Sequence, residues 1–101
     1  MAGATPDVLT PPRTDEDAKP RGDLLRPYTV VLHNDDHNDM LYVVQCLLKT
    51  VPTIGRRRAV EIMFEAHTHG KARVTTCPLE LAELYRDRLE GFGLTATIEK
   101  T

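Results

Sequence analysis

Tyr28-Thr29-Val30-Val31-Leu32-His33-Asn34-Asp35-Asp36-His37-Asn38-Asp39-Met40 decides how this chain is read. Its first five residues are aromatic, β-branched or apolar, and they predict a strand. The apolar character is nearly continuous, which points to a central strand covered by its neighbours. The strand stops at the polar run His33 to Asp39. Asn and Asp favour turns because their side chains bond nearby backbone groups. A helix comes next: Met40, Val43, Val44, Leu47, Leu48 and Val51 recur at helical spacing. Asn38 or Asp39 suits its N-cap, and Pro52 stops it.

Downstream, Thr53 can cap a second helix that runs to about His69, with Ala59, Val60, Met63, Phe64, Ala66 and His67 as a mixed inner face. Arg56, Arg57 and Arg58 crowd its first turn, where cations oppose the helix dipole at a few tenths of a kcal/mol each. They read either as a solvated face or as an anion or partner contact. Gly70 suits the C′ position. Lys71 to Thr75 predicts a second strand. Pro78 at N1 and Glu80 at N3 open a third helix, with Leu81, Leu84, Tyr85, Leu89 and Phe92 on its buried side. Gly91 and Gly93 end it. Leu94, Ala96 and Ile98 then alternate with Thr95, Thr97 and Glu99 in a last strand. The order β-α-α-β-α-β predicts an α+β fold: a three-stranded antiparallel sheet with three helices on one face.

Upstream, residues 1–25 hold four of the seven prolines, with Asp7, Asp15, Glu16, Asp17 and Asp23, and few large apolar side chains. Such a stretch cannot bury enough apolar surface to offset its ordering entropy, so a disordered tail is expected before a core at 26–101. A length of 101 residues bounds the chain to one domain. The formal charge of −2 makes no electrostatic case for a nucleic-acid partner. No apolar run approaches the roughly 20 residues a membrane helix needs, and no secretory h-region opens the chain. Cys46 and Cys77 stand apart without CxxC spacing, as expected of reduced thiols in a cytoplasmic protein.

Chemistry concentrates at His33 to Asp39. A turn and a helix cap account for Asn38 and Asp39; Asn34, Asp35 and Asp36 exceed what a turn needs. His67 shares a helix face with Met63 and Val60, where a histidine is either a satisfied core residue or a functional one. Three chemistries are open. Metal binding would draw on His33, His37, His67 and His69, but His33 and His37 flank a turn, and His67 and His69 point to different sides of a helix. Nucleophilic catalysis would need Cys77 with His67, yet no motif surrounds Cys77. The third is capture of a cation: an Asn oxygen, an Asp carboxylate and a neutral His nitrogen are all acceptors, and an ammonium group has three donors. Met40, Val43 and Met63 would lie beside them, apolar and adaptable. That combination suits an N-terminal amino acid with a large hydrophobic side chain and needs no cofactor or metal.

Three stretches together carry a family resemblance. Tyr28 to Met40 resembles the signature of the ClpS family of N-degron adaptors, as do Ile62-Met63-Phe64-Glu65-Ala66-His67-Thr68-His69-Gly70-Lys71 and the terminal Leu94-Thr95-Ala96-Thr97-Ile98-Glu99-Lys100. They span residues 28–100 in the family's order. The flavour of the first stretch and of Val43-Val44-Gln45-Cys46-Leu47-Leu48-Lys49 is similar to the plant and cyanobacterial branch.

The resemblance implies a non-enzymatic, monomeric adaptor. It would bind proteins that begin with Leu, Phe, Tyr or Trp and deliver them to a ClpA- or ClpC-like unfoldase through the unfoldase's N-terminal domain. It implies that Asn34, Asp36 and His67 bind the substrate's α-amino group, that Asp35 supports the loop, and that Asn38, where Thr is common, holds the peptide backbone. Met40, Val43, Met63, Ala66 and Leu94 would line the side-chain pocket, Ala66 standing where a bulkier Val is common. Glu80 matches an acidic docking residue, and Tyr85 stands where Lys is often presented to the unfoldase. The tail would be the extension that the unfoldase engages. The competing reading is a domain that docks on the unfoldase without reading N-termini; the topology is also similar to the C-terminal domain of a bacterial ribosomal stalk protein.

Overall fold

The computed structural model describes residues 26–101, so the tail expected at 1–25 lies outside the described residues. Strand β1 is Pro27–His33, helix α1 Met40–Thr50, helix α2 Gly55–His69, strand β2 Lys71–Pro78, helix α3 Leu79–Gly91 and strand β3 Thr95–Lys100. A 3-10 turn at Pro52–Ile54 joins α1 to α2. The sheet order is β2-β1-β3, both pairs antiparallel. This is the α+β arrangement expected, with the helices packed on one face.

The central place of β1 explains its apolar run. Val30 and Leu32 face the helices and join Val44, Leu47, Ile62, Leu89 and Ala96 in one core. Val31 is buried too, with Arg73 and Thr97 as its cross-strand neighbours. On the same face as Val31, the Thr29 hydroxyl hydrogen-bonds those of Thr76 at 3.2 Å and Thr101 at 2.9 Å. Each fully buried Val, Leu or Ile contributes about 1.5–3 kcal/mol.

The structure departs from the sequence reading in several places: helix α2 opens at Gly55 with Ile54, not Thr53, in the N-cap position, and β3 starts at Thr95, one residue after Leu94. β2 runs three residues past Thr75 to Pro78, because pairing with β1 resumes after a bulge at Val30/Val31 and continues to Pro27. Pro78 is tolerated there since β2 is an edge strand. Helix α3 accordingly begins at Leu79, with Pro78 in the N-cap position. On α3 the buried residues are Ala82 and Leu89, with Tyr85 and Phe92 packed against the core. Leu81 and Leu84 instead stay 38% and 43% exposed. Two apolar stripes compete on this helix; the one that includes small Ala82 can approach a narrow three-stranded sheet most closely. On α2, Ala59, Ile62, Met63 and Ala66 form the buried stripe, while Phe64 is 51% exposed and His67 faces solvent. Positions 59, 62, 63 and 66 follow i, i+3, i+4 and i+7, so Ile62 takes the place assigned to Phe64.

Candidate functional site

One cavity, of about 40 Å³, opens where β1, the loop after it, α1, the end of α2 and the residue before β3 converge. Its lining is Leu32, His33, Asn34, Asp35, Asn38, Met40, Val43, Met63, Ala66, His67 and Leu94. A single water needs about 10–15 Å³ by the same measure, so there is room for a small apolar group.

Backbone geometry brings the polar rim together. Helix α2 ends at Gly70, whose φ of +90° is left-handed and favours glycine. The Gly70 N–H closes the helix on the Ala66 carbonyl at 2.9 Å, and its own carbonyl accepts the Asn34 N–H at 2.9 Å. The polar loop is thereby tied to the last turn of α2, which carries His67. Within the loop Asp35 accepts from the His37 N–H at 2.8 Å and from Asn38 Nδ2 at 2.6 Å. Asn38 Nδ2 also donates to the Gly93 carbonyl at 3.1 Å. Asn34 Nδ2 donates to Asp36 at 3.4 Å, which leaves Asn34 Oδ1 without a partner among the described residues. Asp39 occupies the N-cap position of α1 but makes no side-chain cap bond.

The apolar side is built from three elements. Val43, Met63, Ala66 and Leu94 are buried; Met40, first in its helix, is 41% exposed at the mouth. Asp36 is exposed, linked to the site through Asn34, and is not part of the lining. Two lining residues, Leu32 and His33, are not among those the sequence assigns to the pocket. Strand alternation could have found Leu32, since it shares a face with Val30. His33 lines the cavity and hydrogen-bonds the Thr97 hydroxyl through Nε2 at 2.8 Å; the sequence marks it only as a metal-ligand candidate, not as a pocket residue.

Glu80 lies apart from this cavity, with Leu81, Glu83, Leu84 and Asp87 on the outer face of α3. Tyr85 lies on the other side of that helix, half-buried against the core. Among the described residues no three His, Cys, Asp or Glu side chains are grouped to hold a metal ion. Cys77 pairs with Tyr28 at the opposite end of β1 from His33, roughly 15 Å along the strand. Burial pushes both thiols above their ordinary value; at Cys46 the neighbouring Tyr42 and Lys49 offset this in part. No helix among the described residues is long and apolar enough to cross a membrane.

The structure thus places a shallow apolar hollow, edged by hydrogen-bond acceptors, at one end of a small α+β domain. Residues 24–97 match the family described as ATP-dependent Clp protease adaptor protein ClpS, and the chain belongs to that family. The ClpS adapter of Synechococcus elongatus is 51% identical over 72 residues, covering 71% of this chain and 76% of that protein. The chloroplastic adapter CLPS1 of Arabidopsis thaliana is 42% identical over 94 residues, covering 92% of this chain and 59% of that protein. A solved structure of Agrobacterium tumefaciens ClpS2 bound to L-phenylalaninamide is similar with a TM-score of 0.67 at 27% identity, covering 75% of this chain and 98% of that one. The protein is therefore an adapter of the Clp protease and not an enzyme.

Proposed function

We propose that this adapter recognises proteins by a free N-terminal residue with a large hydrophobic side chain and hands them to a Clp unfoldase. One observation carries the reading: a single hollow has Met40, Val43, Met63, Ala66 and Leu94 on its walls and Asn34, Asp35 and His67 on its rim. The first residue's side chain, of the Leu, Phe, Tyr or Trp kind, fills the hollow. Asn34 Oδ1 and a ring nitrogen of His67 accept from the α-ammonium group. Asp36 adds negative charge and holds the Asn34 amide by its Nδ2 at 3.4 Å, so that the oxygen is left for the ligand. Both Asn38 amide bonds are made by Nδ2 to protein acceptors, which leaves Oδ1 to accept a peptide N–H. Support also comes from L-phenylalaninamide, the ligand of the Agrobacterium ClpS2 structure, which joins a free α-amino group to a benzyl side chain.

The test is fluorescence polarisation with a labelled peptide beginning with Leu or Phe, beside the same peptide N-acetylated. The free peptide should bind at least about tenfold more tightly, since acetylation removes the charge and leaves acceptors unpaired. Equal binding, or none, replaces this reading with docking alone.

The unfoldase's N-terminal domain is proposed to dock on α3, as a ClpA- or ClpC-like partner to a monomeric adapter. Leu81 and Leu84 are exposed between Glu80, Glu83 and Asp87, a surface suited to an apolar patch with a basic rim. Leu84→Lys should weaken binding to the purified unfoldase domain by about tenfold or more and leave peptide affinity unchanged. Unchanged unfoldase binding in a titration would move the docking surface elsewhere.

A further inference from the structure

The turn that leads into Leu94 is held by side chains from across the site. Tyr42 Oη donates to the Phe92 carbonyl at 2.6 Å, and Asn38 Nδ2 donates to the Gly93 carbonyl at 3.1 Å. The same Asn38 nitrogen donates to the Asp35 carboxylate at 2.6 Å, so one amide joins the polar loop to the C-terminal turn. Lys49 lies over the Phe92 ring, 6.0 Å from its centroid. From the other side, the turn is anchored to α3 by its own backbone: Gly93 N–H to the Glu90 carbonyl at 2.9 Å and Leu94 N–H to the Leu89 carbonyl at 3.1 Å. Gly93 has a φ of +90°, which lets the chain reverse sharply there.

Tyr42 is 37% exposed, so burial alone does not account for it. Its hydroxyl reaches a backbone carbonyl fifty residues away in sequence, at a short distance for an O–H donor. Beyond that turn stands Leu94, buried and forming one wall of the cavity. None of the cavity's lining is Tyr42 itself.

We propose that Tyr42, together with Asn38, straps the Phe92–Gly93 turn against α1 and so fixes the Leu94 wall, which makes Tyr42 a specificity-setting positioning residue. The proposal rests on reading the cavity as the pocket for a substrate's first side chain. With the strap closed the hollow is at its narrowest, which favours Leu over the wider rings among the large hydrophobic first residues. Without it Leu94 can retreat, and a larger ring gains room. A neutral hydrogen bond corresponds to about a two- to tenfold effect, which sets the size of the change to look for.

The experiment compares the full chain with Tyr42→Phe, which removes one oxygen and keeps the ring. Two peptides differing only in their first residue, Leu or Trp, are titrated against each protein. The ratio of their affinities should move toward Trp by about threefold or more in the variant, while the preference for free over acetylated peptide persists. A merely structural role would weaken both peptides alike; that result, or an unchanged ratio, overturns the proposal. Amide hydrogen exchange without peptide gives a second readout. In Tyr42→Phe the Gly93 and Leu94 amides should exchange about two- to tenfold faster, with the Ile62 amide of the core unchanged. Unchanged exchange at Leu94 overturns the strap whatever the peptides do. If the unaltered protein binds neither peptide while the exchange rates differ as expected, the pocket reading has failed, and the specificity role with it, although the strap itself stands.

Discussion

Replacing Asn34 by alanine is expected to weaken binding of a Leu- or Phe-initiated peptide about 10- to 100-fold, with Tm shifted by less than about 4 °C. The first figure follows from losing a charge-assisted hydrogen bond, worth about 1.5–3 kcal/mol when the donor is an ammonium group. The second follows from the exposed side chain and from the backbone. Asn34 is tied into the fold by its main-chain N–H to Gly70 at 2.9 Å, and alanine keeps that bond. His67→Ala should behave alike, because His67 is exposed and its ring makes no hydrogen bond among the described residues. The double variant should lose less than the product of the two single effects, since both groups act on one ammonium. Titration of the three variants with a free and an acetylated peptide, alongside thermal melts, checks this. Unaltered affinity in Asn34→Ala would remove that residue from the site and would leave the acceptor rim without its best-placed member.

Leu47→Ala should destabilise the domain by about 2–5 kcal/mol, the range for a large side chain deleted from a packed core. At about 4–8 °C per kcal/mol for a domain of this size, Tm should fall by at least about 8 °C. Leu47 is fully buried where α1 meets the sheet and the other helices, and a domain this small has little stability to spare. The companion variant is Leu81→Ala. It removes the same atoms from the exposed face of α3 and should cost less than about 1 kcal/mol. Comparable Tm losses in the two variants would contradict the assignment of α3's buried face to Ala82, Tyr85 and Leu89.

The core strand and the first helix were legible because each has one strong period. Tyr28 to Leu32 has no charged interruption and only Thr29 as a polar one, and Val43, Val44, Leu47 and Val51 fall on a single helical stripe. Helix α3 was harder because Leu81 and Leu84 compete with Ala82 and Tyr85, and a ranking by side-chain size favours the wrong stripe. Burial there depends on how closely a helix can approach three strands, a property of the partner surface as much as of the helix. At the site, the apolar lining drew on residues whose spacing placed them on inner faces. His33 and Tyr42 carried no such mark, since their partners, Thr97 and the Phe92 carbonyl, lie far along the chain.

The sequence by itself determined the order of elements, the central strand, the polar loop at its end and the family, because these rest on local propensity, on periodicity and on short motifs in order. Tertiary structure alone decided which helix faces are buried and how the rim of the cavity is assembled. A left-handed Gly70 closes α2 beside Asn34, and Asn38 bridges Asp35 to Gly93. Those are contacts between residues tens of positions apart, and their geometry exists only once the chain has closed on itself.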